Sequence, residues 1–393
     1  MPDYVSIAFA WSVAAIWGAG FAWFFVKGRT QPTLSLRRSS EMPTQKVSVI
    51  VPARNEADRV LKKSIASLLE QNYDVLEVIV VDDRSTDETL QLLKELSDSR
   101  CGGRLTIVEG RDLPNDWLGK PHALQQGYEV ATGELILTTD ADIIFNPDAI
   151  RTAVSYMSEN NIDALSLVPR LELETFWERV FMPVFGWFCL LAMPLYRVND
   201  PNRKETIGVG NFFLLSRDSI ETIGGFGAVK SDVAEDLRLA ELVKQNGLRL
   251  RVETAPELIW TRMYSGVGEI WEGFTKNLFS ALKFSVLKGI AGVASIFLFG
   301  CMPLVMSILY ALSGEIQTAS VWLLGYLFQV TIFIAIVKNI EQNPIYAFFI
   351  PAGFALYAAI LLNSMLKIIS GKGVTWKGRD IYEKGGIKPP QNQ

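Results

Sequence analysis

The chain has 393 residues, with 38 Lys and Arg against 42 Asp and Glu, for a formal net charge of −4. Its 49% hydrophobic content is too high for a disordered chain, and the apolar residues gather at the two ends in long uncharged runs, which excludes an ordinary water-soluble globule. The charge balance gives no reason to expect nucleic acid as a partner.

The first apolar run, Tyr4 to Val26, contains Trp11, Trp17 and Trp23 and no charge. At about 1.5 Å per residue it can cross a hydrocarbon core of about 30 Å. Asp3 precedes it, and Lys27, Arg29, Arg37 and Arg38 follow it. That order predicts an uncleaved anchor over 1–27, with the N-terminus outside and the following chain cytoplasmic. Residues 28–45 read as a basic linker.

From Lys46 the pattern changes. Strands are predicted over 46–52, 75–81, 104–108 and 134–138, alternating with helices over 56–71, 86–96 and 122–132. This alternation predicts a doubly wound α/β sheet, here taken to run from 46 to 285. In such sheets the polar residues just past the strand C-termini line the ligand crevice.

The aromatic stretch 177–198 holds Pro183 and Pro194. A crossing there would put the two halves of the α/β domain on opposite sides of a membrane. It therefore reads as an interfacial helix or packed hairpin, with a core helix as the other reading. Three apolar runs follow, about 289–312, 319–337 and 344–368, within a membrane region assigned to 286–369. The tail 370–393 continues a segment that, from Lys367, has six basic and two acidic residues and prefers the cytoplasm. Three full crossings would instead place it outside. The expected location is the inner membrane, multi-pass, with a cytoplasmic catalytic domain.

Several residues suggest chemistry. Asp140-Ala-Asp142 follows a strand, and two such carboxylates suit a hard divalent cation shared with a diphosphate. Asp82-Asp83 also ends a strand and can accept hydrogen bonds from a ribose or base, whereas Thr86 and Asp87 read as caps of the next helix. Pro52-Ala-Arg54-Asn55-Glu56 opens a helix that would offer a polar-ligand site. Lys120 is either a phosphate-facing point charge or a solvated surface lysine. Glu235-Asp236 begins a helix, where the pair either complements the helix dipole or supplies a general base. Cys101, Cys189 and Cys301 have no metal-ligand spacing, and a single histidine, His122, makes a Ser-His-Asp triad a poor fit.

In chain order these segments read PARNE (52–56), VVDDRSTDET (80–89), GK (119–120), TTDADI (138–143), GVGNFFLLSR (208–217), GGF (224–226) and ED (235–236). The ordered set resembles the family 2 glycosyltransferases over about residues 46–280. WERVFMP, YRVNDPN and WKGRDIYEKGG resemble the membrane-bound subgroup associated with hopanoid and carotenoid pathways. Residues 262–279 resemble bacterial chlorobactene-type carotenoid glucosyltransferases.

The resemblance implies the GT-A fold, an α/β doubly wound mixed sheet, flanked here by one N-terminal and about three C-terminal transmembrane helices. It implies an inverting hexosyltransferase that moves one sugar, glucose, from a UDP-sugar to the hydroxyl of a membrane lipid. Its partners would be the UDP-sugar donor, the lipid acceptor and the bilayer, and its cofactor Mg²⁺ or Mn²⁺. Pro52, Arg54, Glu56, Asp82, Asp83 and Lys120 would hold the nucleotide sugar. Asp140 would contact the nucleotide and share the metal with Asp142. Asp236, with Glu235 beside it, would act as base, and Gly208, Gly210 and Asn211 would line the acceptor side. Processive relatives carry QxxRW after the ED pair. Here that stretch lacks the motif, which argues against a polysaccharide synthase, and Trp271 and Lys276, placed on the acceptor side, would do part of its job. A polyprenyl-phosphate or diacylglycerol glycosyltransferase is the alternative enzyme. An inactive scaffold or transporter would be expected to lack the acidic site residues, and all are present.

Overall fold

The computed structural model describes residues 4–37, 43–57, 60–100, 103–376 and 379–382, and the chain divides into an α/β unit (Gln31–Glu172 with Met193–Met263) and a helical unit. Cys101, residues 38–42 of the predicted linker and tail residues 383–393 lie outside the described residues.

Through the first half, the chain forms α1 (Tyr4–Trp23), β1 (Val47–Ala53), α2 (Leu61–Leu69), β2 (Leu76–Asp82), α3 (Thr89–Arg100), β3 (Leu105–Glu109), α4 (Gly119–Val130), β4 (Leu135–Thr138), β5 (Ile144–Phe145), α5 (Ala149–Asn160), β6 (Ala164–Val168) and β7 (Arg170–Leu171). There follow α6 (Phe176–Ala192), α7 (Leu195–Val198), β8 (Phe213–Ser216), α8 (Arg217–Thr222), α9 (Glu235–Gln245), β9 (Leu250–Thr254), β10 (Ile259–Thr261), α10 (Val267–Ala281), α11 (Val286–Ile296), α12 (Met302–Leu312), α13 (Ile316–Asn339), α14 (Ile350–Ile369), β11 (Val374–Trp376) and β12 (Arg379–Tyr382).

The α/β unit is built on a seven-stranded sheet ordered β3-β2-β1-β4-β8-β6-β9. β3, β2, β1 and β4 run parallel, and β8 lies antiparallel between β4 and β6. The sheet is mixed because of this one reversed strand. Successive side chains of a strand face opposite sides. Val47, Val49 and Val51 accordingly pack with α2, α3 and α5 residues such as Leu61, Leu93 and Val154. Ile50, Ile79 and Val81 pack with Leu124 of α4 and Leu239 of α9. A sheet covered on both faces needs the near-continuous apolar strands seen here.

Two details differ from the sequence expectation. The helix expected from Glu56 starts at Leu61, because Asn55 is left-handed (φ 51) and its N–H donates to Ser85 Oγ at 3.1 Å. In the stretch read as linker, Leu34 is 2% exposed and donates its N–H to Thr254 O at 2.9 Å, while Thr254 N–H donates to Pro32 O. β9 is the sheet's edge, and this segment occupies main-chain groups that an open edge would leave free.

Among the described residues five helical stretches are long and apolar enough to cross a membrane: Tyr4–Gly28, Phe176–Val198, Val286–Leu312, Ile316–Asn339 and Pro344–Ile369. The second does not fit a single crossing. The chain leaves the α/β unit at Glu172 and rejoins it at Met193, and β6 before the excursion is hydrogen-bonded to β8 after it. One crossing would put neighbours in one sheet on opposite faces. α6 instead packs inside the helical unit, with Phe181 stacked on Tyr357 and Trp187 stacked on Trp17.

A π-helical turn, Phe297–Cys301, joins α11 to α12. Pro303 has no N–H to give Phe299 O, and the indole of Trp17 donates there at 2.8 Å. Gln329, fully buried, donates to Gly300 O at 3.1 Å. In hydrocarbon, freed carbonyls need such side-chain partners.

Candidate active site

The site forms where β1, β2 and β4 end and where α4 and α9 begin. Pro52 can sit inside β1 because β4 pairs only as far as Ile50, so the missing N–H interrupts no ladder. Beyond it, the loops after β1 and β2 are laced together. Arg54 Nη1 donates to the carbonyls of Asp83 (2.6 Å) and Arg84 (2.9 Å). Asn55 Oδ1 accepts from Thr86 N–H at 2.8 Å, and Glu56 N–H donates to Thr89 Oγ1 at 2.8 Å. Asp87 accepts from the Thr89 N–H and hydroxyl and from Ala57 N–H. Asp82, Asp83 and Glu56 are buried. Asp82 spends one oxygen on Ser85 N–H at 3.2 Å, and its Oδ1 is buried with no hydrogen-bond partner among the described residues. A buried, unsatisfied carboxylate oxygen at a sheet's C-terminal edge is ready to accept a ligand's donor.

The second half of the site centres on Lys120, in the first turn of α4. Its Nζ lies 2.7 Å from Asp140 Oδ1 and 2.7 Å from Glu235 Oε1. The other Asp140 oxygen accepts from Asn211 Nδ2 at 3.2 Å, and Thr139 Oγ1 fixes Asn211 by donating to its carbonyl at 2.7 Å. Asp236 Oδ2 accepts the Gly210 N–H at 2.7 Å, and Oδ1 accepts from Leu237 N–H at 2.8 Å. Gly208 is required by close approach to backbone, and Gly210 sits in a tight side-chain setting. A Cβ at Gly208 would collide with the backbone carbonyl of Asp236, and one at Gly210 would lie 2.9 Å from Lys120 Nζ and 3.2 Å from Asp236 Oδ2.

The electrostatics follow from this crowding. Burial opposes the Lys120 charge, but Asp140, Glu235 and Asp236 outweigh it and hold the ammonium well above the usual lysine range. Burial raises both the Glu235 and Asp236 carboxyls above the ordinary carboxylate range, with Lys120 pulling the other way. His122 lies one turn into α4, its ring 5.5 Å from that of Trp117, and burial together with Arg111 lowers its pKa.

The structure therefore gathers Lys120, Asp140, Gly208, Gly210, Asn211, Glu235 and Asp236. Asp142 follows Asp140 in the same turn and is half-buried. Glu235, expected beside the base, forms an ion pair with Lys120. Gly210 and Asn211, expected on the acceptor side, hold the carboxylates of Asp236 and Asp140. Trp271 and Lys276 lie on α10, in the helical unit. The Asn211–Asp140 bond and the supporting Thr139 hydroxyl were not legible, since an isolated Asn or Thr in sequence gives no sign of a distant partner.

Among the described residues no group of three His, Cys, Asp or Glu side chains forms a ready-made metal cage. Asp140 and Glu235 are paired with the ammonium of Lys120, and Asp236 lies beside them. Asp140 and Asp142, in one turn after β4, are two oxygen donors of the kind a hard divalent ion takes when diphosphate and water complete its shell.

The family model "Glycosyl transferase family 2" matches residues 48–224, from β1 to the end of α8, stopping short of Glu235 and Asp236. A 4,4'-diaponeurosporenoate glycosyltransferase of Staphylococcus haemolyticus is 26% identical over 238 residues, 60% of this chain and 61% of that protein. An undecaprenyl-phosphate 4-deoxy-4-formamido-L-arabinose transferase of Proteus mirabilis is 33% identical over 119 residues, 29% of this chain and 34% of that one. The chain thus spans about three-fifths of the first relative and about a third of the second. Among solved structures, the mannosyltransferase PcManGT of Pyrobaculum calidifontis, in complex with GDP-Man and Mn2+, matches with a TM-score of 0.53 at 22% identity, covering 92% of this chain and 98% of that one. The shared architecture is the GT-A fold.

Proposed function

For a chain that carries a glycosyl transferase family 2 domain, we propose an inverting glycosyltransferase that moves one sugar, glucose, from a UDP-sugar to the hydroxyl of a membrane lipid of carotenoid or hopanoid type. The observation that carries this reading is the cluster at the end of β4, where Asp140 and Glu235 pair with Lys120 and the charge of Asp236 acts on the same ammonium. The Staphylococcus relative, named for a carotenoid acid acceptor, and the apolar helices of this chain support a lipid acceptor.

In this reading Pro52, Arg54, Glu56, Asp82 and Asp83 hold the nucleotide, and the buried Asp82 Oδ1 takes one of its donors. Asp140 and Asp142 would hold Mg²⁺ or Mn²⁺, which supplies positive charge against the leaving diphosphate. Lys120 adds a point charge on the same side. Asp236, its carboxyl raised by burial, takes the proton of the acceptor hydroxyl. The acceptor oxygen then bonds to the anomeric carbon as the bond to UDP breaks, with inversion. The α/β unit would face the cytoplasm at the inner membrane, as the Lys27 and Arg29 flank of α1 indicates. Trp271 and Lys276 would serve the acceptor.

The test is UDP release from detergent-purified protein, with each UDP-sugar and Mg²⁺ or Mn²⁺, in the presence or absence of a membrane-lipid extract. Release that needs both metal and lipid is expected. Release of UDP without any lipid product, or none with any donor, would overturn the reading. The Proteus relative favours a second acceptor class, polyprenyl phosphate, which mass spectrometry of the product distinguishes.

A further inference from the structure

We propose that Lys244, at the far end of α9 from Asp236, is a positioning residue for the transfer step, an inference that rests on the glycosyltransferase reading. Lys244 Nζ donates to four main-chain carbonyls: Val198 (2.6 Å), Asp200 (3.1 Å), Arg203 (3.1 Å) and Glu205 (2.8 Å). An ammonium has three N–H donors, so four backbone acceptors saturate it. A lysine committed this way dictates a chain path.

The path it dictates is that of residues 198–211, which lead directly into the site. Asn199 adds to the grip by pairing with β9, donating to Val252 O at 2.9 Å and accepting from Val252 N–H at 2.8 Å. Five residues beyond Glu205, the Gly210 N–H reaches Asp236 Oδ2 at 2.7 Å. Gly208 lies against Asp236 O, and Asn211 reaches Asp140. One helix therefore grips the segment twice, at its last turn through Lys244 and at its first through Asp236. Moving the first grip releases the second, and a small displacement of a reacting group costs much rate.

Amide exchange and kinetics on the full chain in detergent test this together. In Lys244→Met, protection of the amides at 206–212 falls by about tenfold, while peptides of β1 and β2 keep theirs. kcat per folded molecule falls by about tenfold or more, with KM for the donor nearly unchanged. Lys244→Arg restores both, and Lys244→Gln, the fallback if the Met variant does not accumulate, lies between. Unchanged protection at 206–212, or lost protection with unchanged kcat, would overturn the assignment. Absence of turnover in the native protein would sink the glycosyltransferase reading and the rate claim with it, while the exchange arm still decides whether Lys244 holds the loop.

Discussion

Lys120 and Glu235 meet at 2.7 Å, and only 6% of the Glu235 side chain is exposed. A carboxylate so far from water needs its cation. Lys120→Met should therefore lower stability by about 1–3 kcal/mol, less than for a fully buried pair because Lys120 keeps some exposure. Combining it with Glu235→Gln should cost clearly less than the sum of the two single changes. Thermal unfolding of the four proteins in detergent checks this, and strict additivity would mean that the pair is not coupled.

Asp236→Asn keeps shape and removes the base. Transfer should fall by about 10²–10⁴-fold with folding retained. Asp142→Ala should abolish metal-dependent UDP release while leaving secondary structure intact. A fully active Asp236→Asn protein would remove that residue from the base role.

Gly210→Ala adds a carbon 2.9 Å from Lys120 Nζ and 3.5 Å from Asp140 Oδ2. The Lys120 ammonium must shift from its place between Asp140 and Glu235, and Asp236 Oδ2 is crowded at 3.2 Å. Activity should drop by about tenfold or more, with the unfolding midpoint nearly unchanged. Initial rates alongside a melting curve separate the two.

Glu77 shows a pH effect away from the site. Partial burial works to raise its pKa, but the Ser48 and Thr132 hydroxyls, the Thr132 N–H and Lys46 prevail and hold it below the ordinary 4.5. A depressed carboxylate adds stability above its ordinary value, and that contribution is lost as pH falls through its folded value. Glu77→Gln should thus cost about 1 kcal/mol at neutral pH, with the difference from the native protein vanishing well below pH 4.5.

Trp17→Phe leaves Phe299 O without its 2.8 Å indole donor in an apolar setting. A loss of about 1 kcal/mol is expected in detergent, measured by unfolding, and Trp17→Phe combined with Pro303→Ala should recover part of it.

How far sequence reached differs by element. The apolar runs, the strands ending in Asp82-Asp83 and at Thr138, and the ED helix start were all legible, because burial on two faces and helix initiation leave local patterns. Strand β8 was not, since its reversal between β4 and β6 depends on where the chain returns after α6. The same holds for residues 31–36, which resemble a linker in composition yet pack along the β9 edge.

The sequence by itself determined the carboxylate set, the apolar ends and the alternating α/β core, since each follows from neighbours within one or two turns. Only the tertiary structure decided that Lys120 joins Asp140 to Glu235, that Asn211 serves Asp140, and that Lys244 holds the loop reaching Asp236. Those pairings join residues tens of positions apart. Their free energy comes from sheet packing that brings strand ends and helix starts to one edge, and no local pattern encodes it.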